Sequence, residues 1–347
     1  MVKKILHITM SNAYSGAENV ACQIISMFKM DSDVEMLYCG VEGPNIRNAL
    51  KERNISFIPM RKRSVKEVAR VIREVQPTMI HAHDMRASFY VALTCGKTPF
   101  VSHIHNNNFD SRGISLKSVL YYYAARKAAH IFWVSKSAYE GYAFHNQFQK
   151  KSSILYNVID ISALYEKVKA DEKRYSYDIV YVGRLTYEKN PQRLVGVLAG
   201  VAKQLPKMKA AIIGTGELAG EIEKEIKALH VENNIDMLGF CTNPYKMMKS
   251  AKVLLMTSRW EGLPMCALEA MALGVPIVST PTDGLKELIE NGENGFLSED
   301  DQVLQEKCCS ILTNASLHKL LHISALGKAH QILNIDSYKK EIERAYQ

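Results

Sequence analysis

Short apolar runs alternate with amphipathic stretches along this chain, and the alternation starts twice. In the first half KILHIT, VEMLYC, TMIHAH, PFVSHIH, HIFWVS and SSILYN read as strands. Between them lie segments such as SVKEVARVIREV, where Val65, Val68, Val71, Ile72 and Val75 recur at helical spacing. Strands separated by helices pair in parallel and need cover on both faces, which predicts an α/β architecture with a doubly wound sheet. The pattern restarts with YDIVYVG, KAAIIG, IDMLGF, KVLLMTS and VPIVST, alternating with NPQRLVGVLAGVAKQL, GELAGEIEKEIKALH and DDQVLQEKCCSILTN. A chain of 347 residues exceeds what one core normally serves. Two Rossmann-like domains are therefore expected, over 1–165 and 166–335, joined through the polar stretch 162–177 and facing each other across a ligand cleft. The segment 336–347, DSYKKEIERAYQ, is too short to be a domain and is expected to pack back as a helix.

Charge divides unevenly between the halves. The net +8 of the chain splits into +9 for residues 1–165 and −1 for the remainder. A basic first half suits an anionic ligand or an anionic membrane surface, and a solvated helix face is the plainer alternative. No run is apolar enough to span a bilayer, and MVKKILHITM is too short for a secretory signal, so a cytoplasmic protein, peripheral at the inner membrane face, is expected. The seven cysteines form no CxxC pair and suit a reducing compartment.

Several loops that follow strands carry groups suited to a phosphorylated ligand. In YVGRLTYEKNPQRL, Arg184 and Lys189 precede a helix opened by Asn190 and Pro191, so two cations and free helix amides can meet one anion. Gly214, Gly216 and Gly16 sit where a backbone can approach a ligand closely, although GxG alone often marks only a tight turn. Neither GxGxxG nor a Walker sequence is present, which disfavours dinucleotide dehydrogenases and P-loop nucleotidases. His81 and His83, and likewise His103 and His105, alternate on strands and so share a face. That spacing permits a metal, but a single histidine bonded to a ligand at a strand end is the preferred reading, with no metal or other cofactor expected.

WEGLPMCALEAMALGVPIVST places Glu261 and Glu269 in an apolar run. Pro264 suits the first helical position and Gly274 the stop, so Glu261 falls in a loop and Glu269 in the second turn. On one ideal helix the two would stand about 12 Å apart and 80° round; the turn at Gly262 frees Glu261 from that constraint. The two acids can then hold separate hydroxyl groups of one extended ligand, with the amides of Leu263 and Met265 binding a third group.

Taken together, EGLPMCALEAMALGVP, VGRLTYEKN, SGAE and YNVID resemble the retaining nucleotide-sugar glycosyltransferases of family four, which have the GT-B fold. HIHN and EGLP are similar to capsule and exopolysaccharide transferases of bacteria. The resemblance implies that Glu269 binds the donor ribose and Glu261 the transferred sugar, and that Arg184 and Lys189 hold the diphosphate. It further implies that Gly16 lets a loop close on the donor, that His105 lies near the reacting sugar, and that Leu263, Pro264 and Met265 contact sugar and phosphate through their backbone. The family's usual double glycine is Ser15-Gly16 here, and its usual NGID is Asn157-Val158-Ile159-Asp160. The partners so implied are a nucleotide-sugar donor, UDP-linked, and a lipid-linked or oligosaccharide acceptor, with no nucleic acid. A retaining glycoside hydrolase also uses two carboxylates but does not need the cation clamp. A sugar-nucleotide epimerase and a catalytically silent partner in a transferase complex are the remaining alternatives.

Overall fold

A computed structural model describes residues 2–12, 16–105 and 113–347, and the chain divides into two compact units. The first runs to Asn157 and takes in Ile335–Gln347; the second is Val158–Asn334.

In the first unit, β1 (Lys3–Ile8), β2 (Val34–Val41), β3 (Phe57–Met60), β4 (Met79–His83), β5 (Phe100–Ile104), β6 (His130–Trp133) and β7 (Ser152–Ile154) form one parallel sheet in the order β3-β2-β1-β4-β5-β6-β7. Every residue of β4 and β5 is buried, as expected for central strands covered on both faces. The helix Val65–Val75 shows how cover is built. Ser64 caps it by accepting from the Glu67 amide, and Val68, Val71 and Ile72 turn inward.

The second unit repeats the plan with β8 (Ile179–Val182), β9 (Ala210–Ile213), β10 (Ile235–Gly239), β11 (Val253–Met256), β12 (Ile277–Ser279) and β13 (Gly295–Leu297), ordered β10-β9-β8-β11-β12-β13. Helices Pro191–Gln204 and Asp301–Thr313 contribute Leu194, Leu198, Val201, Leu304 and Cys308 to its core. Each such side chain gains about 1.5–3 kcal/mol by leaving water. In both sheets the strand order reverses beside the first strand, between β1 and β4 and between β8 and β11. Loops at the carboxyl ends of those strands diverge there and leave room for a ligand.

Three features differ from the sequence reading. The passage between units lies at Asn157/Val158 rather than 165/166, because part of the polar stretch forms helix Ile161–Ala170 within the second unit. Tyr165 there donates to the Ala272 carbonyl and Lys167 lies over the Tyr245 ring. Strands β3 and β13 were not among the expected ones: one holds Pro59 at the sheet edge, and the other is three residues long and opens on Gly295. Pro264 is the N-cap of helix Met265–Ala272, one position before the expected place.

Helix Ile335–Ala345 buries Tyr338 and Ile342 in the first unit. Lys339 reaches Asp31 at 2.8 Å and lies over the Phe28 ring. Tyr346, just beyond the helix, is buried.

Candidate active site

The loop after β8 and the loop after β11 meet at the reversal point of the second sheet. Gly183 and Leu185 continue the ladder by donating to the carbonyls of Ile213 and Thr215. The chain then makes a tight turn over Tyr187–Lys189, and Asn190 at φ +53° redirects it into helix Pro191–Gln204. Arg259, from the opposite loop, fastens this turn: its amide donates to the Glu188 carbonyl, and its guanidinium donates to Tyr187 O and Asn190 Oδ1. Thr257 adds a bond to the Asn190 carbonyl at 3.1 Å.

The result is a buried ion pair between the two loops. Lys189 Nζ donates to both oxygens of Glu261, at 2.6 and 2.7 Å, and Ser258 Oγ donates to Oε1 at 2.6 Å. The side chains of Lys189 and Glu261 are 19% and 7% exposed, so the pair is largely shielded from water. Arg184 bonds Glu188 at 2.7 Å and is half exposed. Both cations expected to face an anion are thus held by carboxylates, one of them Glu261 itself.

Glu269 is buried on helix Met265–Ala272 and accepts from Tyr245 Oη at 3.1 Å. Cys266, one turn before it, senses Lys189, Glu261 and Glu269 together, while burial pushes its thiol up to about 12. Leu263, Pro264 and Met265 are buried at the helix start, whose first-turn amides have no carbonyl four residues back within the helix. Gly274 ends the turn beyond this helix at φ +72°, where a Cβ would strike the His322 ring. Gly214 has φ +142°, and a Cβ there would lie 1.8 Å from the Gly183 carbonyl oxygen. Its glycine requirement therefore comes from contact between two strand-end loops.

In the first unit, Gly16 is exposed and begins helix Gly16–Met27; Ser15 and Asn106 lie outside the described residues. His105 is buried at the end of β5, and its amide donates to Asp84 Oδ1 at 3.1 Å. The two histidine pairs lie together with His7 of β1 at the reversal point of this sheet. His83 joins His7 at 3.0 Å and His105 at 2.8 Å, and His81 joins His103 at 3.2 Å and Tyr346 Oη at 2.6 Å. Burial pushes His7 and His105 down to about 3 and holds His81, His83 and His103 well below the usual imidazole range. Two groups of three, His7/His81/His83 and His83/His103/His105, bring ligand nitrogens within 4.8 Å of one another. Two tetrahedral zinc ligands would stand about 3.4 Å apart. The shorter His83 contacts are hydrogen bonds in geometry.

Comparison with known proteins identifies the two units. The family described as "Glycosyltransferase Family 4" matches residues 14–163, and "Glycosyl transferases group 1" matches 165–324. The chain belongs to the family-4-type glycosyltransferases. An Escherichia coli UDP-Gal:alpha-D-GlcNAc-diphosphoundecaprenol alpha-1,3-galactosyltransferase is 23% identical, over 98% of this chain and 95% of its own length. An uncharacterized glycosyltransferase of Methanocaldococcus jannaschii is 29% identical over 66% of this chain, which spans 62% of that relative's length. The Anabaena protein HepE, solved in complex with UDP-glucose, superposes with a TM-score of 0.85 at 21% identity, covering 98% of each chain. The two parallel-sheet units are those of the GT-B fold.

Sequence reasoning named Lys189, Glu261 and Glu269 for this glycosyltransferase but missed the residues that hold them. Ser258, Arg259 and Tyr245 have no motif spacing of their own. His7 and Tyr346 could be found only by knowing that β1 and the 335–347 segment join β4 in one unit.

Proposed function

We propose that this glycosyltransferase moves a hexose from a UDP-linked donor onto a lipid-linked or oligosaccharide acceptor in polysaccharide assembly, without a metal and with retention of anomeric configuration. The observation that carries the reading is the Lys189–Glu261 pair at the sheet reversal, within the electrostatic reach of the same Cys266 that senses Glu269. A diphosphate entering this site competes with Glu261 for Lys189. The exchange leaves the cation on the departing phosphate and frees the carboxylate for sugar hydroxyls.

Cleavage of the sugar–phosphate bond puts negative charge on the leaving diphosphate. Lys189, Arg184 and the amides that start helix Met265–Ala272 would stabilise that charge, since preorganised donors act most strongly where water is excluded. Glu269, braced by Tyr245, would take the ribose hydroxyls. His105 would bond the transferred sugar, and Gly16 would let the first loop approach the phosphates. The E. coli relative, named for UDP-Gal and a diphosphoundecaprenol-linked acceptor, supports this reading; a Campylobacter jejuni relative, 35% identical over 44% of this chain, is also named for a diphospho-undecaprenol substrate.

A membrane-bound acceptor also suits helix Leu116–Lys127. Leu116, Val119, Leu120 and Tyr123 are exposed at helical spacing, with Ile114 just before them and exposed Arg126 in the last turn. Apolar residues beside cations fit an anionic lipid surface. The deciding experiment measures nucleotide release from UDP, GDP and ADP sugars with a lipid-linked acceptor. Turnover should require a UDP sugar and be lost in Lys189→Ala and Glu269→Ala; unchanged turnover in both variants would sink the site assignment.

A further inference from the structure

The five buried histidines and Tyr346 make one connected hydrogen-bonded path. From Tyr346 Oη, one arm runs to His81 Nδ1 at 2.6 Å and then from His81 Nε2 to His103 Nδ1 at 3.2 Å. The other runs to His7 Nε2 at 3.5 Å, from His7 Nδ1 to His83 Nε2 at 3.0 Å, and from His83 Nδ1 to His105 Nε2 at 2.8 Å. The arms lie in layers: His83 stacks on His81 with rings 4.5 Å apart and 3° from parallel, and the His103 and His105 rings are 4.2 Å apart. At the ends, His103 Nε2 and His105 Nδ1 are buried with no hydrogen-bond partner among the described residues.

A neutral imidazole has one N–H and one lone pair, so each link fixes the next. Burial keeps these rings neutral and the Tyr346 phenol protonated. The contact to His81 is the short one, and short contacts are typical of O–H donors. With the phenol donating to His81, its oxygen accepts from His7 Nε2. His7 Nδ1 must then accept from His83 Nε2, and His83 Nδ1 from His105 Nε2. That order leaves His105 protonated at Nε2 and bare at Nδ1.

We propose that Tyr346 is a positioning residue that, through His7 and His83, holds His105 in the tautomer with a bare Nδ1, ready to accept a hydrogen bond from a carbohydrate hydroxyl. The carbohydrate part rests on the function proposed above. The tautomer part rests on the path alone and is read without any activity.

The test is side-chain nitrogen NMR on the full chain labelled with 15N-histidine. The wild type should show His105 as a single Nε2–H tautomer. In Tyr346→Phe it should become a mixture, while Tyr338→Phe, which removes from the same segment a buried hydroxyl with no hydrogen-bond partner among the described residues, should change nothing. A proton on His105 Nδ1 in the wild type, or an unchanged His105 in Tyr346→Phe, overturns the proposal. So does zinc taken up at one equivalent with shifts at His83 and His105, because the nitrogens would then be ligands rather than links. In the kinetic arm, Tyr346→Phe should lower kcat about tenfold with donor KM within about twofold, the scale of one neutral hydrogen bond gained in the transition state. If the tautomer responds and kcat does not, His105 is removed from the reacting sugar while its control by Tyr346 stands.

Discussion

Replacing Lys189 by Met removes both charged bonds to Glu261 and leaves Ser258 as the remaining donor described above. Removing one partner of a buried pair costs about 3–5 kcal/mol, because the other charge stays without compensation. Lys189 is one-fifth exposed and Ser258 still serves the carboxylate, so the low end, about 3 kcal/mol, applies here. The second unit has about 180 residues, for which each kcal/mol moves Tm by roughly 2–4 °C, so a fall of about 6–12 °C is expected. Glu261→Gln should cost less, about 1 kcal/mol, since the charge it leaves unpaired, on Lys189, is one-fifth exposed and can reach water, while the amide can still bond Ser258. The double variant should then recover about 2 kcal/mol of the summed loss, the signature of direct coupling. Urea and thermal melts of the four proteins at pH 7.5 give these values. Additive effects, or a loss below about 1 kcal/mol in Lys189→Met, would show that the pair does not hold the two loops together.

Gly214→Ala should destabilise by about 3 kcal/mol or more in melts, because its Cβ would meet the Gly183 carbonyl oxygen at φ +142°. Gly220→Ala, in helix Ala219–Ala228 with nothing near its Cβ, should instead stabilise by up to about 1 kcal/mol. The five buried histidines have folded pKa values below the unfolded 6.5, so the unfolded chain binds protons first as pH falls. Stability should therefore drop from about pH 6.5 downward, by roughly 1.4 kcal/mol per imidazole at pH 5.5, and His81→Leu should flatten that dependence in urea melts. Leu116→Ser with Leu120→Ser should abolish sedimentation with anionic vesicles at low salt without changing Tm, as both residues are exposed.

The sequence was most legible where physics acts locally. Central strands such as β4 and β5 show as short, wholly buried runs in which apolar residues are interspersed with histidines, and Gly274 marks a helix end because few residues accept its backbone. Edge position alone does not decide legibility: β7 and β10 show in the sequence as SSILYN and IDMLGF, whereas β3 holds Pro59 and β13 is a three-residue strand opened by Gly295. The boundary was misplaced because helix Ile161–Ala170 buries only Leu164 and Val168, and its attachment depends on Tyr165 meeting the distant Ala272. In the site, Lys189 and Glu261 were each visible as residue types in motifs. That they bind one another was not, because it depends on which strand ends lie side by side. The histidines appeared as two pairs; parallel pairing of β1, β4 and β5 makes them one network.

The bond from His81 to Tyr346 spans 265 positions of sequence, with the whole second unit between them. At a translation rate of about 5–20 residues per second, some 13–50 s separate the synthesis of its two ends. The first unit can form its sheet during that interval, but its histidines wait for a hydroxyl that does not yet exist. Final closure of the first unit is thus a timing signal, reached only after the second has been made.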